Sequence, residues 1–225
     1  REVASITKLM TALLVLEALD RDEIALTDSV QISPRAAAMK GSQALLDASA
    51  VYPLEDLLRT TIMASANDSA VALSEYIAGS EENFVDRMNR RAAELGMTNT
   101  NYVNCTGYPQ SGQYTTARDA CRLCCEIAKH PRYNQYASVW IDKLTHPGGR
   151  VTDLTNTNRL VRFYEGCDGY KTGSTDAAKY CLAATAEKNG MRLVAIVLGT
   201  PVSQTRFNEA RQMLDYGFAT YRRVV

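Results

Sequence analysis

Two apolar runs on either side of Asn189-Gly190 constrain the fold of this chain more than any other feature. The run before the turn is KYCLAATAEK, and the run after it is MRLVAIVLG. Asn-Gly adopts the left-handed backbone of a two-residue hairpin turn, and β-branched and aromatic residues favour strands. The sequence therefore predicts antiparallel strands over 179–187 and 191–199, with a further strand over 163–171.

Most of the remaining chain has helical periodicity. Apolar residues recur every three or four positions, and Gly or Pro interrupts the pattern between segments. The predicted helices are 5–20, 54–64, 68–78, 81–95, 116–130 and 204–222. Helices packed on an antiparallel sheet give an α+β fold. We expect one domain over 1–225, with a helical lobe over about 27–147 and a sheet lobe formed by 1–26 and 148–225.

Composition excludes several classes of function. The 25 basic and 25 acidic residues give a net charge of zero, so no basic excess is available to hold a nucleic acid. No apolar run reaches the roughly 18 residues that a membrane-spanning helix needs. Among the cysteines, the cluster Cys121, Cys124 and Cys125 is interpreted as small buried hydrophobic residues, because no second Cys or His pair completes a zinc site. We expect no metal and no cofactor.

The first candidate motif is Ser5-Ile6-Thr7-Lys8 at the start of the first helix. A serine in the first turn of a helix has its hydroxyl near the positive end of the helix dipole. Lys8 follows one turn later on the same face. Burial can lower the pKa of such a lysine until it accepts the serine proton.

Two further motifs lie far along the chain. Ser65-Ala66-Asn67 falls at a predicted helix junction, where a hydroxyl can relay a proton and a carboxamide can hold an amide. Lys171-Thr172-Gly173 lies on a predicted strand, where glycine permits close approach of another backbone. The chance of all three motifs together is on the order of 0.01, before their order and spacing are considered.

With these motifs the sequence resembles the serine-type D-alanyl-D-alanine carboxypeptidases, which are low-molecular-mass penicillin-binding proteins. The resemblance extends over nearly the whole chain. It includes SITKLMTALL, TIMASANDSAVALSEYIAGS, AAELGMTNTNYVNCTGY, TTARDA, CDGYKTGSTDAAKYCLAATA and RFNEARQMLDYGF. It implies a β-lactamase/transpeptidase-like fold whose first one or two strands lie ahead of residue 1.

The resemblance also implies roles for individual residues. Ser5 would be the nucleophile that forms an acyl-enzyme, Lys8 its general base, and Ser65 the group that passes the proton to the leaving amine. The remaining implied residues would bind the substrate. They would contact its peptide amide and hold its terminal carboxylate, and the backbone N–H groups of Ser5 and Ser174 would form the oxyanion hole. They are Asn67, Lys171, Thr172, Gly173, Ser174 and Arg206.

The implied substrate is a peptidoglycan stem peptide ending in D-Ala-D-Ala, and β-lactam antibiotics would acylate the same serine. Such a substrate implies exocytoplasmic action, after export by a signal peptide that this sequence does not contain. Any contact with a membrane would depend on segments outside this sequence.

Two alternatives stay open. A serine β-lactamase shares the nucleophile and the lysine, but the class A enzymes use a loop Glu to activate the deacylating water. The corresponding loop here, NYVNCTGYPQSGQYTT, is followed by its first carboxylate only at Asp119. A non-catalytic peptidoglycan-binding relative is the other alternative, and the intact Lys8 and Ser65 argue against it.

Overall fold

The computed structural model describes residues 1–223, which form helices packed on an antiparallel sheet. A 3₁₀ turn over Ala4–Thr7 opens the chain. The helices are α1 (Lys8–Asp20), α2 (Pro34–Ala37), α3 (Leu54–Met63), α4 (Asn67–Ala78), α5 (Glu81–Glu94), α6 (Ala117–Ile127), α7 (Pro131–Ala137), α8 (Leu160–Phe163) and α9 (Ser203–Thr220). The strands are β1 (Ser29–Gln31), β2 (Val51–Pro53), β3 (Ile141–Thr145), β4 (Val151–Thr155), β5 (Cys167–Thr175), β6 (Lys179–Lys188) and β7 (Met191–Thr200).

The main sheet has the order β5-β6-β7, and every neighbouring pair is antiparallel. Lys188 pairs with Met191 across the predicted turn. Asn189 and Gly190 have φ values of 52° and 72°, the left-handed backbone that this kind of hairpin requires. The α+β fold class and the hairpin are confirmed.

The strand predicted over 163–171 is wrong at its start. Residues Leu160–Phe163 form α8, and β5 begins only at Cys167. Asn158 Oδ1 accepts the Leu160 N–H at 3.1 Å, so a local side chain satisfies one free donor at the helix start. Gly166 then turns the chain into the strand with φ of 82°.

The sequence did not predict α7 or the two small two-stranded sheets. Pro131 is the first residue of α7, a position where its missing N–H costs nothing. In each small sheet the strands are short: β1 pairs with β2, and β3 pairs with β4. Short strands with few buried positions give only a weak alternation of apolar and polar residues, so periodicity does not reveal them.

Helix α1 lies in the middle of the molecule. Leu9, Leu13 and Leu16 are almost completely buried. The apolar cluster around them joins residues of the helical segments to Tyr170 and Cys181 of the sheet. A second cluster packs α9 against the other face of the sheet. The division into two lobes with boundaries near 26 and 147 stays a prediction.

The cysteine cluster on α6 differs from its interpretation as buried hydrophobic residues. Cys124 is buried, Cys121 is half-buried and Cys125 is exposed. The interpretation was therefore wrong for Cys125, because residues one position apart on a helix point in different directions. Within residues 1–223, no helix combines the length and the apolar character that crossing a bilayer requires.

Candidate active site

The backbone bends sharply just before Ser5. Ala4 has φ of 49°, in the left-handed region that residues with a Cβ rarely adopt. Ser5 follows in the 3₁₀ turn that runs directly into α1. Strained conformations of this kind persist only where surrounding contacts hold them, and they concentrate at functional sites. The predicted placement of Ser5 one turn before Lys8 agrees with this geometry.

Lys8 lies against the Ser5 hydroxyl. Its Nζ is 3.0 Å from Ser5 Oγ and 2.7 Å from the carbonyl oxygen of Thr106, to which the ammonium form donates. Burial lowers the pKa of Lys8 to about 7, although the nearby Cys105 and Asp68 act in the opposite direction. An amine with this pKa is substantially neutral at physiological pH, so it can accept a proton from the serine.

The loop that holds Lys8 is itself fixed by side chains. Asn104 Oδ1 accepts the backbone N–H groups of Thr106 at 3.2 Å and Gly107 at 2.7 Å. The buried carboxylate of Glu81 accepts the Cys105 N–H at 2.9 Å. The sequence identified this segment only as a loop, because hydrogen bonds between distant residues leave no periodic signal.

Two glycines pack closely against the backbone around Ser5. A Cβ on Gly107 would lie 1.9 Å from the Ala4 carbonyl oxygen, and one on Gly173 would lie 2.3 Å from the Val3 carbonyl oxygen. Neither position has room for a side chain. The close approach that the sequence predicted for Gly173 has its explanation here, since the glycine lets β5 pack against the turn that carries Ser5.

Replacing Gly107 by Ala should lower the stability of the protein. The new methyl group must push the Ala4 carbonyl away, and overpacking of this kind costs about 1–3 kcal/mol. Gly79→Ala is the matched control, because Gly79 has φ of 77°, nearly the 79° of Gly107, with nothing within 4 Å of its Cβ position. Thermal melting measures the loss in each variant, and we expect the larger loss in Gly107→Ala. Equal losses in the two variants would show that backbone strain alone is responsible.

The second motif lies at the junction of two helices, as predicted. Helix α3 ends at Met63 and α4 begins at Asn67. Ser65 is buried between them, with φ of 64°. Asn67 Nδ2 donates to the Lys40 carbonyl at 2.5 Å, and its backbone N–H donates to the Ser42 carbonyl at 2.7 Å. Asn67 therefore holds the loop 40–42 beside Ser5.

The third motif places a buried lysine on β5. Lys171 Nζ donates to the Thr172 carbonyl at 3.1 Å. Burial is the main cause that lowers the pKa of Lys171 well below its usual range, and the positive charges of Lys8 and Arg206 add to it. Thr172 Oγ1 donates to Thr157 Oγ1 at 2.7 Å, a partner that the sequence did not reveal.

Arg206 reaches the same strand from α9. Its guanidinium donates to the carbonyl oxygens of Gly173 at 3.1 Å and Cys181 at 3.2 Å. Its Nε is buried and has no hydrogen-bond partner among residues 1–223. Burial also lowers the pKa of Arg206. The structure thus places the Arg206 side chain behind β5, and its Nε–H remains without a hydrogen-bond partner among the described residues.

An open cleft of about 350 Å³ lies beside Ser5. Of the predicted site residues, Ser5, Asn67 and Ser174 line it. Within the described chain the lining does not include Lys8, Ser65, Lys171, Thr172, Gly173 or Arg206. Tyr108 and Asp176 also line the cleft, and the sequence had assigned no role to them. A hydroxyl beside a neutral amine at the base of a cleft is an arrangement suited to acyl transfer.

Comparison with known proteins agrees with this arrangement. A family model described as D-alanyl-D-alanine carboxypeptidase matches residues 1–202. The D-alanyl-D-alanine carboxypeptidase DacF of Bacillus subtilis is 42% identical over 218 residues, which cover 97% of this chain and 56% of that protein. The chain therefore spans a little over half the length of this curated relative.

Solved structures have the same fold. The D-alanyl-D-alanine carboxypeptidase DacD of Francisella tularensis superposes with a TM-score of 0.94 at 30% identity, covering 99% of this chain and 65% of the other. Penicillin-binding protein D2 of Listeria monocytogenes, in its ampicillin-bound form, gives a TM-score of 0.80 at 32% identity. That match covers 97% of this chain and 87% of the other.

Proposed function

This chain belongs to the D-alanyl-D-alanine carboxypeptidase family, and from that membership we propose that it removes the terminal D-alanine from peptidoglycan stem peptides. The observation that carries the proposal is the 3.0 Å contact between Lys8 Nζ and Ser5 Oγ at the base of the cleft. It supplies a nucleophile and a base of suitable pKa in one place. No cofactor is needed for this chemistry.

In the proposed acylation step, neutral Lys8 takes the Ser5 proton while Oγ attacks the carbonyl between the two D-alanines. The Thr106 carbonyl holds the resulting ammonium. The backbone N–H groups of Ser5 and Ser174 would stabilise the oxyanion, since both residues line the cleft. Ser65 would pass the proton from the Lys8 ammonium to the leaving amine as the C–N bond breaks, so D-alanine departs and Lys8 is neutral again. Water then hydrolyses the ester on Ser5.

Substrate binding would use the residues around the nucleophile. Asn67 would contact the peptide amide from the edge of the cleft. Thr172 and Lys171 would hold the terminal carboxylate, whose negative charge would favour the ammonium form of the buried Lys171. Arg206 would contribute to carboxylate binding from behind β5, through its hydrogen bond to the Gly173 carbonyl. Gly173 would let the turn that carries Ser5 pack close to the strand that binds the substrate.

β-Lactam antibiotics would acylate Ser5 in the same way. A relative of this fold has been solved in an ampicillin-bound form, which supports this part of the proposal. The proposed site of action is exocytoplasmic, because the stem peptide belongs to the cell wall. Export by a signal peptide stays a prediction.

Release of D-alanine from a short peptide tests the proposal directly. We expect release from a peptide ending in D-Ala-D-Ala and none from the same peptide ending in L-Ala-L-Ala. Amino-acid analysis by mass spectrometry measures free alanine of either configuration, and a D-amino-acid oxidase assay then identifies the D form. A protein that binds the first peptide without releasing D-alanine would instead be the non-catalytic relative.

Hydrolysis of a chromogenic cephalosporin separates the carboxypeptidase from a β-lactamase. The first carboxylate after the loop, Asp119, is buried and accepts the Asn99 N–H at 2.9 Å, outside the cleft lining. It is therefore not placed to activate a deacylating water. We expect one burst of colour equal to the amount of enzyme, and rapid steady turnover would contradict the proposal.

The rate of acylation should rise as pH rises through about 7, the pKa of Lys8. Below that value Lys8 is protonated and cannot accept the Ser5 proton, and above it the neutral amine predominates. The rate should fall about tenfold for each pH unit below the pKa. Stopped-flow labelling with a fluorescent penicillin between pH 5 and 9 measures this profile. A rate independent of pH over that range would exclude Lys8 as the base.

A further inference from the structure

Strand β5 offers an edge to an extended peptide. It lies at one end of the β5-β6-β7 order, so among the described strands its outer side has no neighbour. The cleft opens along the end of this strand, because Ser174 and Thr175 of β5 and Asp176, which follows the strand, all line it. An extended ligand can add to such an edge as one more strand, with its side chains directed to alternate faces.

The proposed function fixes the direction of that peptide. The terminal carboxylate lies near Thr172, and the scissile carbonyl lies at the Ser174 N–H. The substrate therefore runs antiparallel to β5, and its upstream residues continue beyond Ser174. A strand advances about 3.3 Å per residue, so the residue before the D-Ala-D-Ala pair lies beside Thr175 and Asp176.

Asp176 brings a carboxylate to this part of the cleft. Of the cleft-lining residues that the structure describes, only Asp176 has a charged side chain. Within residues 1–223 the Asp176 carboxylate has no hydrogen-bond partner and no ion-pair partner. Lys179, three residues later, does not form an ion pair with it. Its side chain is exposed at the end of β5, where a ligand can reach it.

We propose that Asp176 selects substrates whose residue before D-Ala-D-Ala has a side-chain ammonium group. The inference rests on the proposed function, and it names the chemical class of substrate that this cleft prefers. An unpaired carboxylate beside that residue attracts a cation and repels a carboxylate. The aromatic ring of Tyr108, on the same lining, can cover the aliphatic part of a long basic side chain.

Two substrates that differ by one acetyl group test the proposal. One is Nα-acetyl-L-Lys-D-Ala-D-Ala with a free side-chain amine, and the other is the Nα,Nε-diacetyl peptide. D-Alanine release gives kcat/KM for each substrate. We expect the wild type to prefer the free amine by about threefold to fivefold at low salt, the range of an exposed ion pair, and less at high salt.

Variants separate charge from size. Asp176→Asn should lower kcat/KM for the free-amine peptide more than for the diacetyl peptide, so that the charge-dependent preference disappears, and Asp176→Lys should reverse the preference. Asp86→Asn, which makes the same change at an exposed position on α5, should leave the preference at the wild-type value. A preference unchanged in Asp176→Asn, or an equal loss on both peptides, would overturn the inference. No release from either peptide by the wild type would instead overturn the proposed function and this inference with it.

Discussion

Replacing Ser5 by Ala should abolish covalent labelling by a fluorescent penicillin. In the proposed mechanism this change removes the attacking oxygen, and no other group in the described cleft has a neutral amine beside it. We expect the acylation rate to fall by about 10³-fold or more, to the limit of detection. Gel fluorescence measures the labelling, and intact-protein mass spectrometry measures the mass of one bound antibiotic per chain.

Ser42→Ala is the matched control for this experiment. Ser42 lines the same cleft, and the structure uses its backbone carbonyl, which the substitution retains. Labelling of this variant should fall far less than that of Ser5→Ala, because the Ser42 backbone carbonyl that accepts the Asn67 N–H is retained. The assignment of Ser5 fails if Ser5→Ala is labelled like the wild type while its melting temperature is unchanged.

Replacing Lys8 by Met should reduce acylation almost as strongly. Methionine has a similar length and suits a site where the lysine is 1% exposed, so the fold should persist. Loss of a general base typically costs about 10²–10⁴ in rate. We also expect the rise of the rate through pH 7 to disappear, since the group that titrates there is gone. Stopped-flow fluorescence between pH 5 and 9 measures both changes.

Two further variants distinguish a base from a positive charge. Lys8→Arg keeps the charge but cannot give up its proton, so it should be as slow as Lys8→Met. Lys143→Met removes an exposed lysine on β3 and should label like the wild type. Activity in Lys8→Arg close to that of the wild type would show that Lys8 supplies charge and not proton transfer.

Where local signals are strong, the sequence was sufficient to predict most of the secondary structure. The Asn189-Gly190 turn and the apolar runs beside it were sufficient for the β6-β7 hairpin. Local rules failed at residues 163–166, which have strand-like composition. Phe163 ends α8, whose first turn the Asn158 side chain supports, and Gly166 turns the chain before β5 begins. They also missed β3 and β4, whose short and partly polar strands carry little periodicity.

The candidate site shows the same division between features that the local sequence specifies and features that depend on the tertiary structure. The order of Ser5, Lys8 and the two later motifs was readable because each motif is a short string of residues. Their positions around Ser5, the pKa of Lys8 near 7, the contacts of Asn104 and Gly107, and the place of Asp176 in the cleft lining required the tertiary structure. The physical reason is that burial, close backbone approach and unpaired charge depend on neighbours distant in sequence, which no local pattern of residues specifies.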